Sequence, residues 1–261
     1  MATPAPYTDP YLHTYTTVPA AGPGVCTVCR SGPGPGYAVC FSCQEVTRQV
    51  SYPVMTVVPI SLYTLNSQLW HVLRHYKDGS GRSAELLATQ VAAILARFTA
   101  RHLRCVAAAA GGEPAVVTSV PSTRPQSRPG RHPLQTAIMR VSRLAPLHQP
   151  LLVRGPAYVD HNRADDQAFT VPRRLSGERV LLLDDTLTTG ARLQSAASAL
   201  RRHGASAVAA VVIGRVIDPG WNENCRRIWD QARETQFTFD QCCLCRDLYR
   251  WPCQPKSHRP G

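Results

Sequence analysis

Apolar residues recur in two rhythms along this 261-residue chain. Short runs rich in Val, Leu and Ile have the length and content of buried strands: "VMTVVPI" (54–60), "AVVTSV" (115–120), "RVLLLD" (179–184) and "AVAAVVIGRVI" (207–217). Elsewhere the apolar positions fall three and four apart. They do so in "LNSQLWHVLRHY" (65–76), "SAELLATQVAAILARFTARHL" (83–103) and "LQTAIMRVSRLA" (134–145), which predicts helices. A further helix follows 179–184, with Leu193, Ala196, Ala197 and Leu200 on one face and Gly204 as a left-handed stop. Strands alternating with helices predict an α/β fold whose parallel sheet is covered on both faces.

The rhythm is absent at both ends. Residues 1–25 are rich in Pro, Thr and Ala and are expected to be disordered. A cysteine module occupies 26–50, the α/β core 51–218, and a Cys- and Trp-rich extension 219–261. Within the module, Cys26-x2-Cys29-x10-Cys40-x2-Cys43 flanks a Gly/Pro loop, "SGPGPG". That spacing is the ligand pattern of structural zinc held by four thiolates, with no position left open for chemistry. In the extension, Cys242-x2-Cys245 forms a second pair, which would need Cys225 and Cys253 to complete another metal site, zinc or an iron–sulfur cluster. Cys243 would then be spare, and Cys105, in an apolar helix, reads as a core thiol.

Charge narrows the class of partner. The formal net charge of +12 points to anions: phosphorylated metabolites, nucleic acid or acidic surfaces. Paired cysteines argue against a secreted disulfide scaffold. The N-terminus has neither basic flank nor apolar core of a signal peptide, and no apolar run reaches membrane-spanning length, so a cytoplasmic protein is expected. From Arg97 to Arg143 there are eight arginines against one acidic residue, Glu113. Arg124, Arg128 and Arg131 lie in a Pro-rich loop after the 115–120 strand, where guanidinium forks suit pyrophosphate oxygens; a solvated basic face is the alternative. In the tail, Arg246, Tyr249, Arg250, Trp251, Lys256 and Arg259 interleave bases and aromatics, as single-stranded nucleic acid would require. A cap folded over the sheet by Trp221, Trp229 and Trp251 accounts for the same residues, and acidic residues mixed through 223–247 favour it. The chain leaves room for a homo-oligomer.

The most specific stretch is "VLLLDDTLTTG" (180–190). A buried strand reaching Asp184 and Asp185 delivers both carboxylates to the ligand-binding edge of an open α/β sheet. Thr188, Thr189 and Gly190 then sit at the next helix's N-terminus, where backbone N–H groups and the dipole favour an anion. Carboxylates accept hydrogen bonds from vicinal hydroxyls, so a ribose 5-phosphate would satisfy both halves at once. A Walker B strand would need a G-x-x-x-x-G-K-[ST] partner, and "GSGRS" (79–83) lacks the Lys; an Asp-x-Asp phosphatase would need Asp where Thr186 stands. The remaining alternative is a helix capped by Asp185 or Thr189.

This stretch resembles the phosphoribosyl pyrophosphate (PRPP) motif of type I phosphoribosyltransferases. The wider chain resembles the ComF-like branch of that family, linked with natural competence and DNA uptake. The likeness covers about residues 26 to 217 and includes the N-terminal Cys pairs, "YKDG" (76–79), "VPSTRPQSRPGRHPLQTA" (120–137) and "HNRADDQAF" (161–169). It implies a type I phosphoribosyltransferase fold that uses PRPP with Mg²⁺. It places the sugar on Asp184 and Asp185 and the 5-phosphate on Thr186, Thr188, Thr189, Gly190, Ala191 and Arg192. The pyrophosphate would fall on Val120, Pro121, Ser122 and Thr123 with Arg124, Arg131 and Lys77. Two departures stand out: Arg192 replaces an expected hydroxyl residue, and Arg131-His132-Pro133-Leu134-Gln135 replaces Arg-Gly-Phe-Asn-Gln. Three function classes follow: a PRPP-using transferase, a PRPP-binding protein of DNA uptake that also binds single-stranded DNA, and a zinc-stabilised interaction module on a vestigial core.

Overall fold

The computed structural model describes residues 3–78, 81–122 and 132–245. Four parallel strands form the central sheet: β1 (Val57–Tyr63), β2 (Val116–Ser119), β5 (Arg179–Leu187) and β6 (Ala207–Val216), in the order β1-β6-β5-β2. A separate two-residue antiparallel ladder joins β3 (Val153–Arg154) to β4 (Phe169–Thr170). The helices are α1 (Phe41–Arg48), α2 (Gln68–Asp78), α3 (Gly81–Ala109), α4 (Pro133–Met139), α5 (Ala191–Arg202) and α6 (Glu223–Glu234). Alternation along β5 sorts the core into two layers. Leu181 and Leu183 pack with residues of α2, α3 and α4, whereas Val180 and Leu182 pack with α5 and the cysteine module. The parallel α/β expectation therefore holds. Among the described residues, no helix is long and apolar enough to cross a membrane.

Several boundaries shift, each for a local reason. β1 begins at Val57 rather than 54 because the backbone of Val54 is occupied elsewhere: its N–H donates to Gln194 Oε1 and its carbonyl accepts from Gln194 Nε2, both at 2.8 Å. The long helix α3 runs on to Ala109, since the alanines after Cys105 favour helix, and Gly111 and Gly112 then end it at positive φ. The Gly112 N–H reaches back to the Ala107 carbonyl at 2.8 Å, closing that end. The helix predicted over 134–145 stops at Met139 and gives way to i→i+3 turns at Val141 and Leu144, before Pro146.

Residues 3–25, expected to be disordered, are packed against the core. Tyr15, Val18 and Val25 are buried, and Thr16 pairs antiparallel with Leu62, covering the outer edge of β1. The Tyr15 ring meets Phe237 and Phe239 edge-on at 5.3 and 6.1 Å. Three apolar anchors and a sheet edge in need of cover outweigh a composition without periodicity.

The cysteine module is likewise built into the core, since Cys26, Cys29, Cys40, Cys43 and Val46 belong to the layer that holds α5. Its Gly/Pro loop lies against the start of α6, where Asn224 Nδ2 donates to the Pro33 carbonyl at 2.9 Å. A Cβ at Gly32 would sit 2.4 Å from the backbone nitrogen of Cys225, so this contact tolerates no side chain. Gly32→Ala is expected to separate loop from helix and lower stability by about 1–3 kcal/mol, the usual cost of overpacking. Urea denaturation of the two proteins measures it.

Candidate functional site

The site arises where the sheet changes width. β2 ends at Ser119, opposite Leu183, while β5 continues beside β6 to Leu187, pairing with Arg215. Asp184 and Asp185 therefore lie beyond the last residue of β2, within a strand that extends past them rather than stopping there. Both are buried, at 4% and 1% exposure. Their side chains leave opposite faces of the strand and meet different partners. Asp185 faces α2: Tyr76 donates its hydroxyl to Oδ2, and Lys77 Nζ lies 2.5 Å from the same oxygen. Asp184 Oδ1 accepts from the Asp185 N–H at 3.0 Å and lies 4.0 Å from the Arg192 guanidinium.

These surroundings separate the two acids. Burial raises Asp184 to about 6; Arg192 opposes the rise and the charge of Asp185 adds to it. Burial acts on Asp185 in the same direction, but the Lys77 charge and the Lys77 and Tyr76 hydrogen bonds outweigh it and hold this carboxyl below its ordinary value. Tyr76 is pushed well above the usual phenol range by burial and by Asp185. At neutral pH the pair thus carries a fixed carboxylate and a second one costly to ionise.

The loop after β5 turns through Gly190, whose φ of +91° is a left-handed conformation that favours glycine, and enters α5. No side chain caps this helix start, and no acidic residue stands in its first turn. The expected caps Asp185 and Thr189 do not serve: Asp185 is inside the strand, and Thr189 Oγ1 only approaches the Ala191 N–H at 3.5 Å. Arg192, in the first turn, donates to the Pro121 carbonyl at 3.1 Å and so ties α5 to the loop after β2. Ser122 gives its carbonyl to Arg154 Nε at 3.1 Å. Asn162, at φ +56°, approaches the Thr189 hydroxyl with its N–H at 3.4 Å. Among the described residues, Asp185 Oδ1, Asn162 Oδ1, Ser119 Oγ and Arg192 Nε are buried without a hydrogen-bond partner. Such orphaned groups ask for a ligand that both donates and accepts.

The structure thus brings together Lys77, Val120, Pro121, Ser122, Asp184, Asp185 and Arg192, with Thr186 half-buried and Thr188 exposed at the loop. Thr123, Arg124 and Arg131 lie outside the described residues, as does Cys253. His132 caps α4, its Nδ1 accepting from Leu134 N–H at 3.3 Å, and burial lowers its pKa. Three arginines of the basic region are engaged within the fold, Arg97 with Asp9, Arg101 with Asp240 and Arg140 with Thr89.

Two functional residues escaped the sequence reading. Tyr76 stands inside the "YKDG" motif, which could have signalled it. Arg215 gave no signal beyond a polar interruption of an apolar strand. Its guanidinium is buried and donates through one nitrogen to the carbonyls of Leu187, Thr188 and Val216 at 3.1, 2.6 and 2.6 Å. Burial alone would lower its pKa, but the cysteines beside it, Cys29 first among them, override this and raise it. The four sulfurs of Cys26, Cys29, Cys40 and Cys43 lie within 4.8 Å of one another and can hold a metal ion such as zinc. Among the described residues Cys225 joins no metal-binding cluster: its thiol faces the Gly32 carbonyl at 3.6 Å and Ser31 Oγ at 3.9 Å.

No protein-family model and no curated protein matches this chain.

Two outcomes are expected. Arg215→Met should release the 187–188 carbonyls and leave the sulfur cluster without its buried counter-charge, costing about 3–5 kcal/mol as for a broken buried ion pair. Thermal and urea unfolding measure it. Asp184→Asn should act in the opposite sense. The folded pKa of Asp184 is raised, so its ionisation destabilises the native state increasingly as pH climbs from about 4 to about 6 and by a constant amount above. The variant should gain up to about 3 kcal/mol at about pH 8 and nothing at about pH 4, by urea denaturation at both values.

Proposed function

We propose that the protein binds PRPP at the β5–α5 turn and transfers its 5-phosphoribosyl group to a nitrogen nucleophile. The reading is supported above all by one observation. A buried carboxylate, Asp185, keeps one oxygen without a partner beside a helix start that no side chain caps. The free oxygen suits a sugar hydroxyl as donor, and the helix start suits the 5-phosphate. The "VLLLDDTLTTG" resemblance points the same way.

Transfer breaks the bond between ribose C1 and the pyrophosphate oxygen. The electron pair leaves with pyrophosphate, and the acceptor nitrogen supplies the pair for the new bond. Mg²⁺ would neutralise charge on the departing pyrophosphate. The chain's own residues position and stabilise: the Asp pair would hold the sugar while positive charge develops at C1, and Lys77 would hold Asp185 ionised for that purpose. Arg192 would meet the ligand's anionic side, linking the turn to Pro121. The four-cysteine module would carry structural zinc, whose four thiolates around a dication leave a net negative charge for Arg215 to answer.

Calorimetry with PRPP and Mg²⁺, run beside inorganic phosphate, tests the reading. Asp185→Asn should weaken PRPP by about 1–3 kcal/mol while leaving inorganic phosphate nearly unchanged. Gly190→Val should weaken both ligands. A Cβ at this position meets Leu187 and Val46 only at ordinary contact distances, so the damage comes from the positive φ. Gly190→Asn, which tolerates that conformation better, should be milder. Equal effects of Asp185→Asn on both ligands, or no effect on PRPP, would overturn the proposal.

A further inference from the structure

The expected partners of the Cys242–Cys245 pair were Cys225 and Cys253. Cys225 is committed to the Gly/Pro loop, and Cys105, expected as a core thiol, is disulfide-bonded. Among the described residues the pair therefore keeps one further donor, His102 of α3, too few for a closed four-ligand metal site. We propose that Cys242 and Cys245 are a redox-active dithiol, which exchanges with the disulfides of small thiols and closes to a disulfide of its own. The inference stands apart from PRPP binding.

Backbone geometry carries it first. The Cys245 N–H donates to the Cys242 carbonyl at 3.2 Å, so residues 242–245 make a tight turn. The end Cα atoms of such a turn lie less than about 7 Å apart, within the span of a disulfide. The two Sγ atoms are already 3.5 Å apart. Closing to a bond of about 2.05 Å needs rotation of the side chains and no movement of the backbone. Cys243, between them, is fully buried in the core at 0% exposure.

The surroundings give the two sulfurs different roles. Cys242 is buried at 6% exposure, whereas Cys245 is half-buried and open to a small reagent. The Cys242 N–H donates to Cys245 Sγ at 3.1 Å, which favours negative charge on that sulfur. His102 Nε2 lies 2.8 Å from the Phe239 carbonyl, which can only accept, so Nε2 carries the proton. Nδ1 is then the bare nitrogen, and it lies 3.9 Å from Cys245 Sγ. A sulfur, a base beside it and a third group that orients the base are the parts of an activated nucleophile. Cys245 attacks, and Cys242 resolves.

The co-reactant is a low-molecular-weight disulfide. Cys245 gives its proton to His102 Nδ1, and its thiolate attacks one sulfur of that disulfide. A mixed disulfide forms, and the other half leaves as a thiolate that takes the proton from His102. Cys242 then attacks Cys245 Sγ. The new Cys242–Cys245 bond expels the second small thiolate, which takes the Cys242 proton. The protein loses two electrons and two protons, and the small disulfide gains both as two thiols.

Equilibration of the full-length protein in mixtures of reduced and oxidised glutathione, quenched with an alkylating agent, tests the proposal. Mass spectrometry follows the tryptic peptide of residues 234–246, which holds Cys242, Cys243 and Cys245. With rising oxidised glutathione it should pass from three alkylated cysteines to one, and that one should be Cys243. Cys242→Ser should accumulate glutathione on Cys245 as a mixed disulfide, and Cys245→Ser should accumulate none on Cys242. His102→Ala should slow the first step by at least about tenfold, the loss of a positioned base. A wild-type peptide that stays fully alkylated across the series would overturn the proposal, and this measurement needs no variant to fold. So would a disulfide through Cys243, or protection from alkylation that ends only when a chelator strips a metal.

Discussion

A guanidinium without water must find negative charge, and Arg215 finds it in two places at once. On one side are the sulfurs of the cysteine module, and on the other the carbonyls of Leu187 and Thr188. The same nitrogen thus fixes the backbone just ahead of Gly190, where the chain must turn at positive φ into α5. Remove the sulfur charge, and the arginine becomes an unpaired buried cation, among the costliest defects a core can hold. The cysteine module is for this reason part of the frame of the turn and not an appendage. One side chain joins it to the 187–188 backbone that follows the carboxylate pair.

The carboxylates themselves show why such a frame is needed. Two adjacent buried acids oppose folding, and only one of them receives close side-chain donors, both on a single oxygen. Lys77 and Tyr76 arrive from α2 to hold Asp185, whereas Asp184 has a more distant guanidinium and a backbone N–H. A core optimised for stability alone would place leucine at both positions. Keeping carboxylates there, with one acceptor unsatisfied, is the kind of expense that proteins sustain at binding sites.

What could be read from sequence followed from local physics. The apolar run of β5, its Asp pair and the amphipathic α5 were legible because strand and helix periodicities depend on neighbours in the chain. The start of β1 was not, since Gln194, far along the sequence, captures the backbone of Val54. The packing of residues 3–25 was missed because Tyr15, Val18 and Val25 show no period and become anchors only against a partner. The role of His102 was hidden in plain amphipathic spacing: a histidine on the inner face of a helix looks like core until Phe239 and Cys245 land beside it. Arg192 was legible as a departure from the resemblance, yet its bond to Pro121 O depends on the approach of two loops, which no single segment encodes.

Residues 15–36 and 223–239 pack against each other. Tyr15 packs against Phe237 and Phe239, Arg227 NH2 donates to the Pro23 carbonyl at 3.0 Å, and the loop of residues 31–36 rests on α6. Residues 15–36 thus complete their packing only against residues 223–239, although Thr16 already pairs with Leu62 and Asp9 with Arg97. The β1–β6 pairing has the same character, joining residues 57–63 to 210–216. Pairings of such long sequence separation cost loop-closure entropy before they are rewarded, so these contacts are expected to form late in folding.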